Sequence, residues 1–219
     1  MQNKLFLLIL VSFCSYSSVK IELAKFNQQE FQQWEAKSFS GETKYQLHPT
    51  GDVVEAKSRN AASGLVLKKR IDIYKTPFMN WRWKVTKPLI ALPEQSKKGD
   101  DFAARVYVVI ESGMFSLSSK ALNYVWSSSN SKGEHWNNPY VGSQVKMFAL
   151  RDATSSLDSW YSEKRNVYQD LIRLFGDKGS EKENLDSYQY IDVIAIMTDT
   201  DDSSSYAEAL YGSISFTAE

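Results

Sequence analysis

In the stretch FMNWRWKV, residues 78–85, Trp81, Trp83 and Val85 fall on one side and Asn80, Arg82 and Lys84 on the other. Successive side chains of a strand point to opposite faces, so this alternation predicts a strand with one buried face. Short β-rich runs recur along the chain: DVVEA (52–56), GLVLKKRIDI (64–73), GDDFAARVYVV (99–109), KALNYVW (120–126), VKMFAL (145–150), YIDVIAIMTDTDDS (190–203) and ALYGSISF (209–216). Gly64 reads as a break between two such runs, and residues 127–144 as a polar loop. The period lengthens only over residues 160–175, where Val167, Leu171, Leu174 and Phe175 recur at helical spacing before Gly176. That predicts one amphipathic helix near 160–175, followed by a charged turn over 176–186. Many short strands with a single helix predict a mainly β fold, an antiparallel β-sandwich of jelly-roll-like form.

The 219 residues suffice for one domain with a full core. Residues 1–18 carry Lys4, an apolar run over 5–13 and then small polar residues, which is the layout of a signal peptide cut somewhere within 15–24. A run of nine residues is too short to span a bilayer, so no stable membrane span is expected after removal. Cys14 follows Phe13 where a lipoprotein signal has a small residue, which argues against lipid anchoring. The mature single β-sandwich domain, residues 26–219, would then hold no cysteine and rely on packing alone, in a periplasmic or secreted setting. Twenty-six basic residues balance twenty-six acidic ones with no long basic run, which leaves no footprint for nucleic acid.

Taken together, WRWKV, GDDFAARVYVV, KALNYVW, NPY, WYSEKRNVYQDLIRLFG, IAIMTDTDDS and YGSISF resemble domain of unknown function family 3047 of bacterial exported proteins, over roughly residues 31–216. The resemblance implies no catalytic residues. It implies an acid at position 213, where this chain has Ser213, and that departure bears on any cation site near the end of the chain.

The candidate chemistry starts from Arg105. On a strand it shares a face with Asp101, Ala103, Tyr107 and Val109, a face too apolar to be fully wet. A buried arginine needs acceptors, and Asp152 and Glu163 are the expected partners. Arg105 then either anchors a network of acids or presents its planar fork of donors to a ligand. Asp199, Asp201 and Asp202 lie close together at a strand end, a set that suits calcium or, equally, turn chemistry. Trp126 and Trp136 flank the polar loop and offer rings for sugar stacking, with Asn137 and Tyr140 as hydrogen-bonding neighbours.

No GxSxG elbow, HExxH motif or phosphate-binding glycine loop is present, and calcium is the one cofactor the sequence offers. The favoured reading is a non-catalytic exported binder of a polar small ligand such as a glycan. One alternative is a polysaccharide hydrolase of glycoside hydrolase type using a carboxylate pair drawn from Asp101, Glu111 and Glu163. The other is a structural or assembly partner in the cell envelope.

Overall fold

The computed structural model describes residues 19–111 and 119–219; residues 1–18, where a signal peptide is expected, and Cys14 with them lie outside the described residues. In chain order the elements are β1 (Lys20–Ala24), α1 (Gln28–Phe31), β2 (Glu35–Ser40), β3 (Lys44–Leu47), β4 (Val54–Arg59), β5 (Ala62–Asp72), β6 (Phe78–Lys87) and β7 (Arg105–Ile110). They continue with β8 (Lys120–Trp126), β9 (His135–Asn138), β10 (Gly142–Arg151), β11 (Tyr161–Asn166), α2 (Val167–Phe175), α3 (Glu181–Tyr188), β12 (Tyr190–Asp199) and β13 (Tyr206–Thr217).

The strands form a jelly-roll-like β-sandwich, as the alternation predicts. One sheet runs β11-β6-β13-β4-β3, with β1 also paired to β13; the other runs β2-β5-β12-β7-β8-β10-β9. Pairings among the described strands are antiparallel except that of β8 with β10. After β8 the chain runs out to the sheet edge as β9 and returns as β10 between β8 and β9, which leaves β10 parallel to β8.

The main core lies between the sheets. Trp81, Trp83 and Val85 of β6 are buried, facing Tyr124 and Trp126 of β8. The rings meet across the gap, Trp81 against Tyr124 at 5.2 Å and Trp83 against Trp126 at 6.1 Å between centroids. Burying a large ring stabilises by roughly 2–3 kcal/mol, and a ring pair adds about 1 kcal/mol.

The helical prediction needs two corrections. Residues 161–166 are strand β11, paired with β6, and the helix begins only at Val167, where the Asn166 side chain accepts from the Gln169 amide at 3.0 Å. Gly176, at φ +95°, stops it. The charged stretch taken for a turn holds α3, started by Ser180, whose side chain accepts from the Glu183 amide at 3.2 Å. Gly64 does not break a strand either, since β5 passes straight through it. A Cβ there would stand 3.0 Å from the Ile196 carbonyl oxygen and 3.3 Å from the Tyr107 hydroxyl, so the glycine makes room for close packing. The polar loop likewise contains β9 and the start of β10.

Candidate functional site

The second sheet has two faces with different uses. Val106, Val108, Leu122 and Tyr124 enter the main core. Their neighbours Arg105, Tyr107, Ala121 and Asn123 point the other way, where they line a cavity of about 400 Å³. The register assembles its floor: Tyr107 stands opposite Asn123, Met197 opposite Arg105, and Asp199 opposite Ala62. Asn138, Tyr140, Val141 and Val145 close one side, and Phe39, Ser40, Asp201 and Asp202 another. A small second cluster of Phe102, Val125, Trp136, Met147 and Ala149 supports one end.

Arg105 is buried and donates through Nη2 to Asp199 Oδ2. The other oxygen of Asp199 accepts from the Phe102 amide at 3.2 Å. Burial opposes the charge on Arg105, but Asp199, then Asp100, outweigh it and hold the guanidinium protonated. Burial also raises Asp199 above the ordinary carboxylate range, with Arg105 pulling the other way. Asp101, fully buried, accepts from the amides of Asp202 at 3.3 Å and Ser203 at 2.6 Å and so fixes the turn after β12.

Asp100 is 6% exposed. Its Oδ2 accepts from Asn138 Nδ2 at 2.6 Å, but its Oδ1 has no hydrogen-bond partner, and neither has Nε of Arg105. Burial pushes Asp100 up to about 6, with Arg105 and Asn138 opposing. Burial, followed by Asp101 and Asp202, raises Asp201. At the rim the Tyr140 hydroxyl bonds the Asp202 carboxylate, which lifts the phenol to about 12. The loop before β7 also borders the site here, since the Tyr140 hydroxyl lies 3.2 Å from the Lys97 carbonyl oxygen.

Several expected site residues stand elsewhere. Asp152 accepts from the Lys132 and Thr154 amides and borders a different cavity, and Glu163 accepts from Arg151 Nε at 2.6 Å and Trp83 Nε1 at 3.0 Å. The partner of Arg105 is therefore Asp199, ninety-four positions away in sequence. Trp126 is core, and Trp136 belongs to the small cluster, so neither offers a ring for stacking. Asn137 is exposed and holds Lys146 at 2.7 Å; its neighbour Asn138 is the one that reaches the cavity. Glu111 is exposed with its amide bonded to Asp192; it borders one cavity and Glu163 another, and Asp101 lines neither.

Of the expected metal set, Asp199 and Asp201 come together, but the third member is Asp101; oxygens of these three lie within 4.8 Å of one another. Asp202 turns instead to Tyr140. A cation here would share its ligands with Arg105 and three backbone amides. Ser213, where the family resemblance implies an acid, lines a shallow cavity with Arg82 on the first sheet, apart from the aspartates.

Tyr140 stands at the cavity as expected, whereas Asp100, Tyr107, Asn123 and Asn138 were not among the expected site residues. The signal for Asn123 was a polar residue within the apolar run KALNYVW, and that for Tyr107 was its shared parity with Arg105.

Residues 32–215 match the family described as "Protein of unknown function (DUF3047)", and the chain belongs to it. None of the curated proteins matches. Among solved structures, the chain is similar to CBM29_1, a family 29 carbohydrate binding module from Piromyces equi, with 10% identity, 93% of each chain covered and a TM-score of 0.39. It is similar to winged bean acidic lectin complexed with methyl-alpha-D-galactose, with 9% identity, 92% of this chain and 98% of that one covered, and a TM-score of 0.45. It is also similar to a cellulase derived from Cel12A of Rhodothermus marinus, with 8% identity, 90% and 100% coverage, and a TM-score of 0.45. At these values the likeness carries no argument about what this chain binds.

Proposed function

We propose that this member of the DUF3047 family binds a small polyhydroxylated ligand, a glycan, in the cavity on the outer face of its second sheet, without catalysis. The observation that carries the reading is the pair of unpartnered buried groups at that cavity, Asp100 Oδ1 and Arg105 Nε. A buried polar atom without a partner costs about 1–3 kcal/mol, and a ligand that supplies one acceptor and one donor recovers that cost. Sugar hydroxyls do both. Asn123 adds an amide of either polarity, Asn138 is occupied by Asp100 and by the Tyr140 and Val141 amides, and the exposed rings of Phe39 and Tyr140 stand at the rim, where one sugar face can lie against them. The apolar N-terminal run supports an exported chain that meets its ligand outside the cytoplasm.

The test is a glycan panel, with and without calcium, read by thermal shift and calorimetry on the wild type beside Tyr140→Ala. Binding by the wild type, weakened about tenfold in a variant of unchanged melting temperature, is the expected result. A panel with no binder overturns the reading. Hydrolysis is favoured by a single observation, an aspartate lifted to about 6 in a cavity with other carboxylates. Cleaved products from the bound oligosaccharide would establish it in place of simple binding.

A further inference from the structure

The cavity has a marked imbalance of charge. Asp100, Asp199, Asp201 and Asp202 line it against Arg105 alone, and among the described residues no lysine or histidine joins them. Arg105 is already spent on Asp199. Asp101 lies just beneath and adds a further carboxylate, one oxygen of which comes within 4.8 Å of oxygens of Asp199 and Asp201. One arginine therefore faces four lining carboxyl groups and forms its ion pair with Asp199. Two deeply buried groups at the floor, Asp100 at 6% and Arg105 at 9% exposure, keep an atom each without a hydrogen-bond partner.

The two orphan atoms ask for different things. A carboxylate oxygen beside other carboxylates is best met by a positively charged donor, because charge-assisted bonds are about twice as strong as neutral ones. The Arg105 Nε–H needs a neutral or anionic oxygen. A simple polyamine satisfies the first and lacks the second; a neutral sugar satisfies the second and leaves the carboxylates without a counter-charge. We infer that the cavity is built for an amino sugar, a pyranose that carries a free primary ammonium group, with the ammonium directed at Asp100 Oδ1 among the lining carboxylates and a ring or hydroxyl oxygen directed at Arg105 Nε. This deepens the glycan reading and rests on it. An N-acetyl group would cancel the charge and replace an ammonium of three donors by an amide of one.

The experiment compares glucosamine oligosaccharides, their N-acetylated counterparts, cello-oligosaccharides and spermidine by titration calorimetry at pH 7.5 and low salt. The glucosamine series should bind at least about tenfold more tightly than the other three, and its affinity should fall as salt is raised. Asp100→Asn should remove most of that preference. Asp201→Asn, at a half-buried position, is the second variant should the first disturb folding. Equal binding of glucosamine and neutral oligosaccharides would overturn the ammonium assignment and leave glycan binding standing. Tight spermidine binding without any sugar binding would overturn both the amino-sugar assignment and the glycan reading, as would no binding at all.

Discussion

Arg105 and Asp199 are a buried ion pair, and such pairs matter most when broken. Removing the arginine leaves Asp199, 1% exposed, without its cation and close to Asp101 and Asp100. Arg105→Ala should lower unfolding free energy by about 3–5 kcal/mol in urea titration, and adding Asp199→Asn should restore part of it. A single variant as stable as wild type would show that the pair holds nothing together. Asp100 works in the opposite sense. It titrates near 6 in the fold against an ordinary 3.8, so the folded state holds this proton more tightly than the unfolded chain. Its contribution to stability is whole below about pH 4 and is lost as pH rises through about 6, a lift worth up to about 3 kcal/mol. Asp100→Asn keeps the acceptor for Asn138 and removes the charge. It should raise the melting temperature at pH 7.5, leave it unchanged at pH 4, and flatten the slope between. Equal melting temperatures at pH 7.5 would contradict the assigned titration.

At the scale of elements, the sheets were legible because apolar alternation reports burial directly, and β6 is the clearest case: every second residue from Trp81 to Val85 is core. β11 was read as helix for a physical reason. Its inward residues Glu163 and Arg165 are polar and are held by Arg151 and Asp170, so no apolar stripe marks the strand. α3 buries only Asn184 and Tyr188, and its capping signature, Ser180 with Glu183, is its one sequence signal. The site was harder still. An arginine among apolar neighbours marks Arg105 in the sequence, but its partner arrives from a strand whose pairing no local spacing reveals. Trp126 and Trp136 are rings beside a polar loop, yet large apolar area favours burial over display. Gly64 shows the same limit, since its purpose lies in β12 and β7. Gly64→Val should therefore do more than weaken a strand. With a Cβ 3.3 Å from the Tyr107 hydroxyl and 3.0 Å from a carbonyl oxygen, it should cost about 1–3 kcal/mol and displace Tyr107 at the cavity floor. Denaturation together with ligand affinity checks this, and a fully stable variant of unchanged affinity would refute it.

For the whole molecule the consequence is a division of labour between the faces of one sheet. The sandwich interior supplies most of the apolar packing, and the outer face of the second sheet holds polar groups in a fixed array. β8 carries both tasks on adjacent residues. Tyr124 enters the core and donates to Asp170 of α2 at 2.8 Å, where Arg165 also binds through two bonds. Asn123, one position earlier, lines the cavity. If the faces are independent, two neighbouring substitutions should have opposite phenotypes. Tyr124→Phe removes one buried hydrogen bond from a carboxylate that keeps its arginine, and should cost about 1–2 kcal/mol of stability while ligand affinity stays within twofold. Asn123→Ala removes a cavity amide, and should weaken binding of the best glucosamine oligosaccharide about tenfold while the denaturation midpoint barely moves. Calorimetry and urea titration on both variants separate the two outcomes. A Tyr124→Phe protein that binds as poorly as Asn123→Ala would mean that the sheet transmits core packing into the cavity, and that the two faces act as one unit.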